Sequence, residues 1–327
     1  MFTSVVIAAE PDQVADEYIA MARQGDVREG VTLFKSLETR GGSVLDRDLA
    51  QKYQQRFVLK NELHRVNSGS EFVDELTVLF FTYWTKSLLG ELSFTEGVNW
   101  LDYKAISLLI KHGYTYTLKN QSNVMSALNL AIQDQNIFFN RSFASPWHDL
   151  LLWKTQRRET FSVDLTDQQL MLDVIFMDDF ITLGWSDFAT LGMTSSGGWA
   201  SRDAIYCVSW AWNHESENFA VSFLKHEGRH FADFQRFPNL EVIDLEYRAK
   251  LTELAFATTT LPRVLENFRS NAAPNPAAPH AYANYLVIRE MHRTLFVVEP
   301  DRDANPWQSI SSETVNVTAA RLLERHT

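Results

Sequence analysis

Apolar side chains recur at spacings of three and four along most of the chain, the repeat of helices with one buried face. Strand-like runs fall only between residues 167 and 212. In the first half, Pro11 opens a helix with Ala15, Tyr18, Ile19 and Ala22 on one face, and Gly25 closes it. A second helix is predicted over 28–40, stopping at Gly41-Gly42, and a third, rich in charge and glutamine, over 46–66. The fourth, 70–89, carries Leu76, Leu79, Phe80, Tyr83 and Trp84 and is expected to be central to this half. Leu101–His112, ended by Gly113, faintly resembles the second helix of an ankyrin-type repeat, but no second copy accompanies it and no repeat array is predicted.

Residues 140–160, with Pro146 and the basic pair Arg157-Arg158, read as a polar connection between domains. Thr166 and Gln169 have capping-box spacing, which opens either a helix or a buried strand over 167–177. Short apolar runs with β-branched residues follow at Phe180–Trp185. Ala204–Trp212 alternates, with Ile205, Cys207, Ser209 and Ala211 on one face and Tyr206, Val208, Trp210 and Trp212 on the other. The pattern predicts a strand leading into a long helix, 216–238, capped by Ser216 and ended by Pro238. Further helices are expected over 240–258 and 280–297, joined by a surface linker holding Pro274, Pro276 and Pro279, and a short one in the tail from 304.

The helix 216–238 carries the chemistry. Phe219, Phe223, Phe234 and Phe237 form its apolar stripe, and His226 and His230 fill the missing positions. They belong to His226-Glu227-Gly228-Arg229-His230, an H-E-x-x-H. Imidazoles at i and i+4 stack one turn apart and can reach one metal ion. Glu227, about 100° round the helix, can address a water on that metal without binding it. With 9 histidines in the chain, the motif arises by chance with a probability of roughly 1–2 %, before helical context is required. The alternative is a pair of core histidines hydrogen-bonded to carbonyls. Asp233, one turn beyond His230, would either orient an imidazole or stand as a solvated charge.

The 327 residues are 45 % hydrophobic, enough for one large core or two. A net charge of −11 argues against a nucleic-acid partner bound through phosphate neutralisation. The apolar stretch Val78–Trp84 is too short to span a bilayer. The single Cys207 excludes an internal disulfide framework and a cysteine zinc site. Phe2–Ala9 lacks the basic start of an export signal, so a cytoplasmic location is expected, with a trimmed exported form as the alternative.

Over residues 194–256 the chain resembles the zincin metallopeptidases, and among them the gluzincins, in which a helix after the H-E-x-x-H supplies a glutamate. The resemblance rests on that motif and on Glu246-Tyr247-Arg248-Ala249, an E-x-x-A. It departs at Gly228 and Arg229, where many zincins have an apolar residue and a small one, and no third histidine of the metzincin kind follows. The resemblance implies His226, His230 and Glu246 as ligands of one Zn²⁺ per chain and Glu227 as general base. It further implies that the strand preceding the motif helix, 204–212, is the edge that aligns peptide substrate, with Gly198, Trp199 and Ala200 as candidate substrate contacts; a simple turn at Gly197-Gly198 is the alternative. Tyr282, Tyr285, His280 and His292 are candidate donors to the oxyanion, the alternative for each being a side chain satisfied in the core.

The expected fold is α+β and mostly helical: an N-terminal helical domain, 1–155, then a zincin-like domain, 156–327, with a small mixed sheet. The expected function is a zinc-dependent peptidase acting on peptide or protein substrates. Two alternatives stand beside it, a non-catalytic or regulatory zinc-binding protein and a hydrolase of non-peptide amides. Glu246 and Glu253 compete for the third ligand position. In an antiparallel hairpin turning at Pro238, His230 lies level with Glu246, His226 with Lys250 and Phe223 with Glu253, which favours Glu246.

Overall fold

The computed structural model describes residues 13–61, 66–114, 124–144, 146–296 and 306–326. The N-terminal run Phe2–Ala9 lies outside them. With 59 % helix and 14 % strand, the fold is α+β and mostly helical, with a curled mixed sheet. The chain forms two compact units: 1–155 with 179–196, and 156–178 with 197–327.

In the first unit, helices α1 (Gln13–Ala22), α2 (Gly30–Lys35), α3 (Leu37–Arg40), α4 (Val44–Tyr53), α5 (Glu71–Leu88), α6 (Phe94–Lys111) and α7 (Val124–Gln133) enclose an aromatic-rich core. Tyr18, Phe80, Tyr83 and Trp84 are fully buried in it. The starts of α4, α5 and α6 are fixed by Ser43, Ser70 and Ser93, whose hydroxyls accept the backbone N–H three residues on. The segment expected as one helix over 28–40 breaks at Ser36, and that expected over 46–66 ends in a π-turn, Gln54–Val58. Helix α7 was not expected.

The expected polar connection 140–160 is instead mostly strand: β1 (Phe138–Asn140), β2 (Phe143–Ala144), β3 (Trp147–His148) and β4 (Leu151–Asp164). Of the two readings of 167–177, the strand is correct, as β5 (Gln169–Leu183). A turn joins them, closed by Leu165 N–H on the carbonyl of Gln168. Residues 154–160 of β4 are all exposed, so no alternation of apolar and polar positions marks this strand. A short helix, α8 (Trp185–Ala189), follows β5.

In the second unit, β5 pairs parallel with β7 (Ile205–Val208), and β7 antiparallel with the outer strand β6 (Gly198–Ala200). The strand expected over 204–212 stops at Val208 and tightens into a 3₁₀ turn, Ser209–Ala211, that exposes Trp210. The helix expected over 216–238 is α9 (Glu217–Phe219), a π-helical stretch Ala220–Lys225, and α10 (His226–Arg236). The Ser216 hydroxyl caps it by accepting Phe219 N–H at 3.1 Å. Next come α11 (Val242–Phe256), α12 (Leu261–Ser270), α13 (Pro279–Phe296) and α14 (Ser312–Arg325). One core lies among α11–α14; a second lies under the sheet, where Val174, Phe176, Ile205 and Cys207 meet Phe219 and Phe223.

Candidate metal centre

The π-helical stretch immediately precedes the motif, so the first histidine stands where the backbone returns to α-helical winding, a local irregularity that often marks functional positions. Gly228 lies under α10 on the sheet side: a Cβ there would sit 3.0 Å from Leu172 Cδ1 and 3.6 Å from Val163 Cγ1. Its lack of a side chain lets the helix lie close on β4 and β5, against a helix-propensity loss of about 1 kcal/mol relative to alanine. Arg229 is fully buried and donates to Asp167 in the β4–β5 turn, to which Arg236 also reaches at 3.3 Å. These contacts account for the two positions at which the motif departs from the zincin pattern.

Asp233 is neither an imidazole partner nor solvated. It is fully buried and accepts two hydrogen bonds from Arg248, Nε at 2.7 Å and Nη2 at 3.1 Å, with Arg229 3.5 Å away. This ion pair joins α10, three residues past His230, to α11, two residues past Glu246. A buried pair of this kind contributes little net stability over an apolar pair, but it fixes the register of the two helices.

That register brings His226, His230 and Glu246 together. His226 Nε2 and His230 Nε2 are 3.2 Å apart, Glu246 Oε1 is 3.3 Å from His230 Nε2, and Glu246 Oε2 is 4.0 Å from His226 Nε2. Four ligands placed tetrahedrally at 2.0–2.1 Å from a metal stand about 3.3 Å from one another. The observed spacings suit one ion, and the three side chains form a group that can hold a metal. The donor chemistry agrees: two ring nitrogens face each other, an arrangement that a shared cation relieves. The level of His230 opposite Glu246 is as the hairpin register requires. His226 instead meets Glu253, with Nδ1 2.7 Å from Oε1, so the helices are shifted from a simple ladder at that end.

The carboxylates set the electrostatics. Burial alone would lower the His226 pKa, but the charge of Glu253, its hydrogen bond, and the charges of Glu227 and Glu246 push it up to about 9. Burial alone would raise Glu246, but hydrogen bonding from His230 and His280 and the charge of His226 hold it well below the usual carboxylate range. The side chains are enclosed: His226 is 13 % exposed, His230 9 % and Glu246 8 %. Glu227 is half-buried and has no hydrogen bond or ion pair among the described residues. Cys207, whose thiol burial pushes up to about 12, has no thiolate to offer.

Of the four candidate oxyanion donors, His292 is buried against Phe296 and Trp307, whereas His280 stands beside the group, its Nδ1 2.9 Å from Glu246 Oε2 and its side chain 77 % exposed. Tyr282 and Tyr285 stack on each other at 6.0 Å, and Tyr285 lies under the Arg289 guanidinium. Gly198 has φ +152°, and a Cβ there would meet Tyr206 O at 2.2 Å and Phe223 at 2.5 Å, so packing alone requires glycine. Gly198 and Ala200 pair with the buried Cys207 and Ile205, whereas Trp199 stacks on Tyr206 on the opposite face.

Two further features were not expected from the sequence. Lys250 is buried, its Nζ 3.7 Å from Glu246 Oε2 and 5.0 Å from the Phe268 ring centre. Glu217, in the first turn of the helix, accepts backbone and hydroxyl hydrogen bonds from each of Thr258, Thr259 and Thr260. The run of three threonines was the available signal for that anion-capped turn. Comparison with family models, with curated proteins and with solved structures finds no match.

Proposed function

We propose that this chain is a zinc-dependent hydrolase whose reaction is the cleavage of peptide bonds. The observation that carries the reading is the convergence of two histidine Nε2 atoms, 3.2 Å apart, with the Glu246 carboxylate, whose Oε1 is 3.3 Å from His230 and Oε2 4.0 Å from His226, next to a glutamate left free by its neighbours. Two nitrogens and one carboxylate suit zinc and leave one position of a tetrahedral set open.

In this reading His226 and His230 bind through Nε2. Glu253 accepts the Nδ1 proton of His226, which fixes the tautomer and aims Nε2 at the ion. Zinc, when bound, supplies an electrophile for the scissile carbonyl and a lowered water pKa. Glu227 takes the proton of the attacking water and hands it to the leaving amine, a role that needs a carboxylate with no competing partner. His280 is the candidate donor that faces both solvent and the metal group.

The near-complete enclosure of the three ligand side chains favours a second reading, a structural or regulatory metal centre, because such sites are closed. Cleavage of a mixed peptide library by the full chain separates the two. Hydrolysis that stops with a chelator, returns with zinc and falls at least about a hundredfold in Glu227→Gln supports the peptidase. Metal binding without cleavage of any peptide supports the structural centre instead.

A further inference from the structure

Resting on the metal-centre reading above, we infer that Glu246 is built to offer a single oxygen, because Lys250 and His280 hold the other. The two carboxylate oxygens face different neighbours. Oε1 is 3.3 Å from His230 Nε2, on the side where the ring nitrogens converge. Oε2 is 2.9 Å from His280 Nδ1 and 3.7 Å from Lys250 Nζ, and farther, at 4.0 Å, from His226 Nε2. Oε2 is buried, and its contacts with the two cationic side chains are ion pairs with no further hydrogen-bond donor. It therefore has acceptor capacity left, with a ring N–H and an ammonium within reach.

The charges point the same way. Glu227, Glu246 and Glu253 place three negative charges around the site, and a divalent cation offsets two. The Lys250 ammonium supplies the remaining positive charge. It lies between Glu246 and the face of Phe268, with little water to solvate it elsewhere. Turning Glu246 so that both oxygens reach the metal would draw Oε2 away from Lys250 and leave that ammonium buried without a counter-charge. A glutamate held to one oxygen keeps a fourth coordination position open, and a two-oxygen glutamate crowds it. Lys250 and His280 are thus positioning residues that act through Glu246, a role separate from donation to the substrate.

The test uses the full chain loaded with cobalt(II), whose visible absorption is intense when four-coordinate and weak when a fifth ligand joins, together with zinc titration against a chelator. His280→Ala changes an exposed side chain, and Lys250→Met keeps the stem against Phe268, so thermal unfolding should confirm that both fold. Each variant should weaken the visible bands and the double variant should lose them, with zinc affinity changed by about tenfold or more in the double variant. Lys250→Arg, which restores the cation, should return the bands. Wild-type bands and affinity in the double variant overturn the assignment while leaving the metal centre intact. Loss of kcat alone in His280→Ala, with its spectrum unchanged, overturns the His280 half and returns that residue to the oxyanion. A wild-type chain that takes up neither cobalt nor zinc refutes the metal reading itself and this assignment with it.

Discussion

Removal of the Glu253 carboxylate tests how the first histidine is aimed. Its Oε1 lies 2.7 Å from His226 Nδ1, and both side chains are largely enclosed, at 8 % and 13 % exposure. Glu253→Gln leaves an amide oxygen that can still accept the Nδ1 proton, but without charge. A hydrogen bond to a charged group contributes about 1.5–3 kcal/mol and a neutral one about 0.5–1.5 kcal/mol, so the exchange weakens zinc binding by roughly 1 kcal/mol, or about fivefold. Glu253→Ala removes the acceptor altogether and leaves the ring free to turn or to change tautomer. The loss should then reach about 10–100-fold, as for other groups that orient a metal-bound histidine. Competition between the protein and a chromophoric chelator for zinc measures both. If Glu253→Ala binds zinc as tightly as wild type, Glu253 does not aim His226, and the second shell of this centre must be sought elsewhere.

Two further predictions concern stability. Asp149 is buried, which outweighs the N–H groups of Trp185 and Leu150 and pushes its carboxyl up to about 6, above its unfolded value of 3.8. Its favourable contribution is therefore full below pH 3.8 and disappears as pH rises through 6. Relative to wild type, Asp149→Asn should gain about 3 kcal/mol in unfolding free energy between pH 3.8 and 7; denaturant titrations showing a constant difference across that range would contradict this. Arg248→Met removes both hydrogen bonds of the buried Asp233 carboxylate, leaving only Arg229 at 3.5 Å, and should destabilise by about 3 kcal/mol, while Asp233→Leu with Arg248→Met should recover most of the loss. A double variant no more stable than the single one refutes the ion-pair account.

Much of the site was legible because helices repeat regularly. The i, i+4 histidines, the serine cap and the terminating proline define α10 from sequence, and counting outward from Pro238 set Glu246 opposite His230. The same count placed Glu253 opposite Phe223, whereas its Oε1 meets His226 Nδ1 at 2.7 Å, so the helices depart from an even ladder away from their turn. Asp233 reads from sequence as an imidazole partner or a solvated charge, since a charge shows no sign of burial until its partner, 15 residues on, is placed beside it. Strand β4 was hidden for a related reason. Its stretch Lys154–Thr160 is polar on both faces, so the two-residue period that identifies a strand is absent. Helix α12, which buries Leu261, Val264, Leu265 and Phe268 at helical spacing, was not expected.

Whether His226, His230 and Glu246 together hold one metal ion is decided by the zinc content of the intact chain. Native mass measurement of the purified protein, after equilibration with micromolar zinc and dialysis, should show about one zinc per chain in wild type. Glu246→Ala, measured in parallel, should show none. Wild-type protein that retains no zinc, or Glu246→Ala that retains as much as wild type, would contradict the three-ligand site.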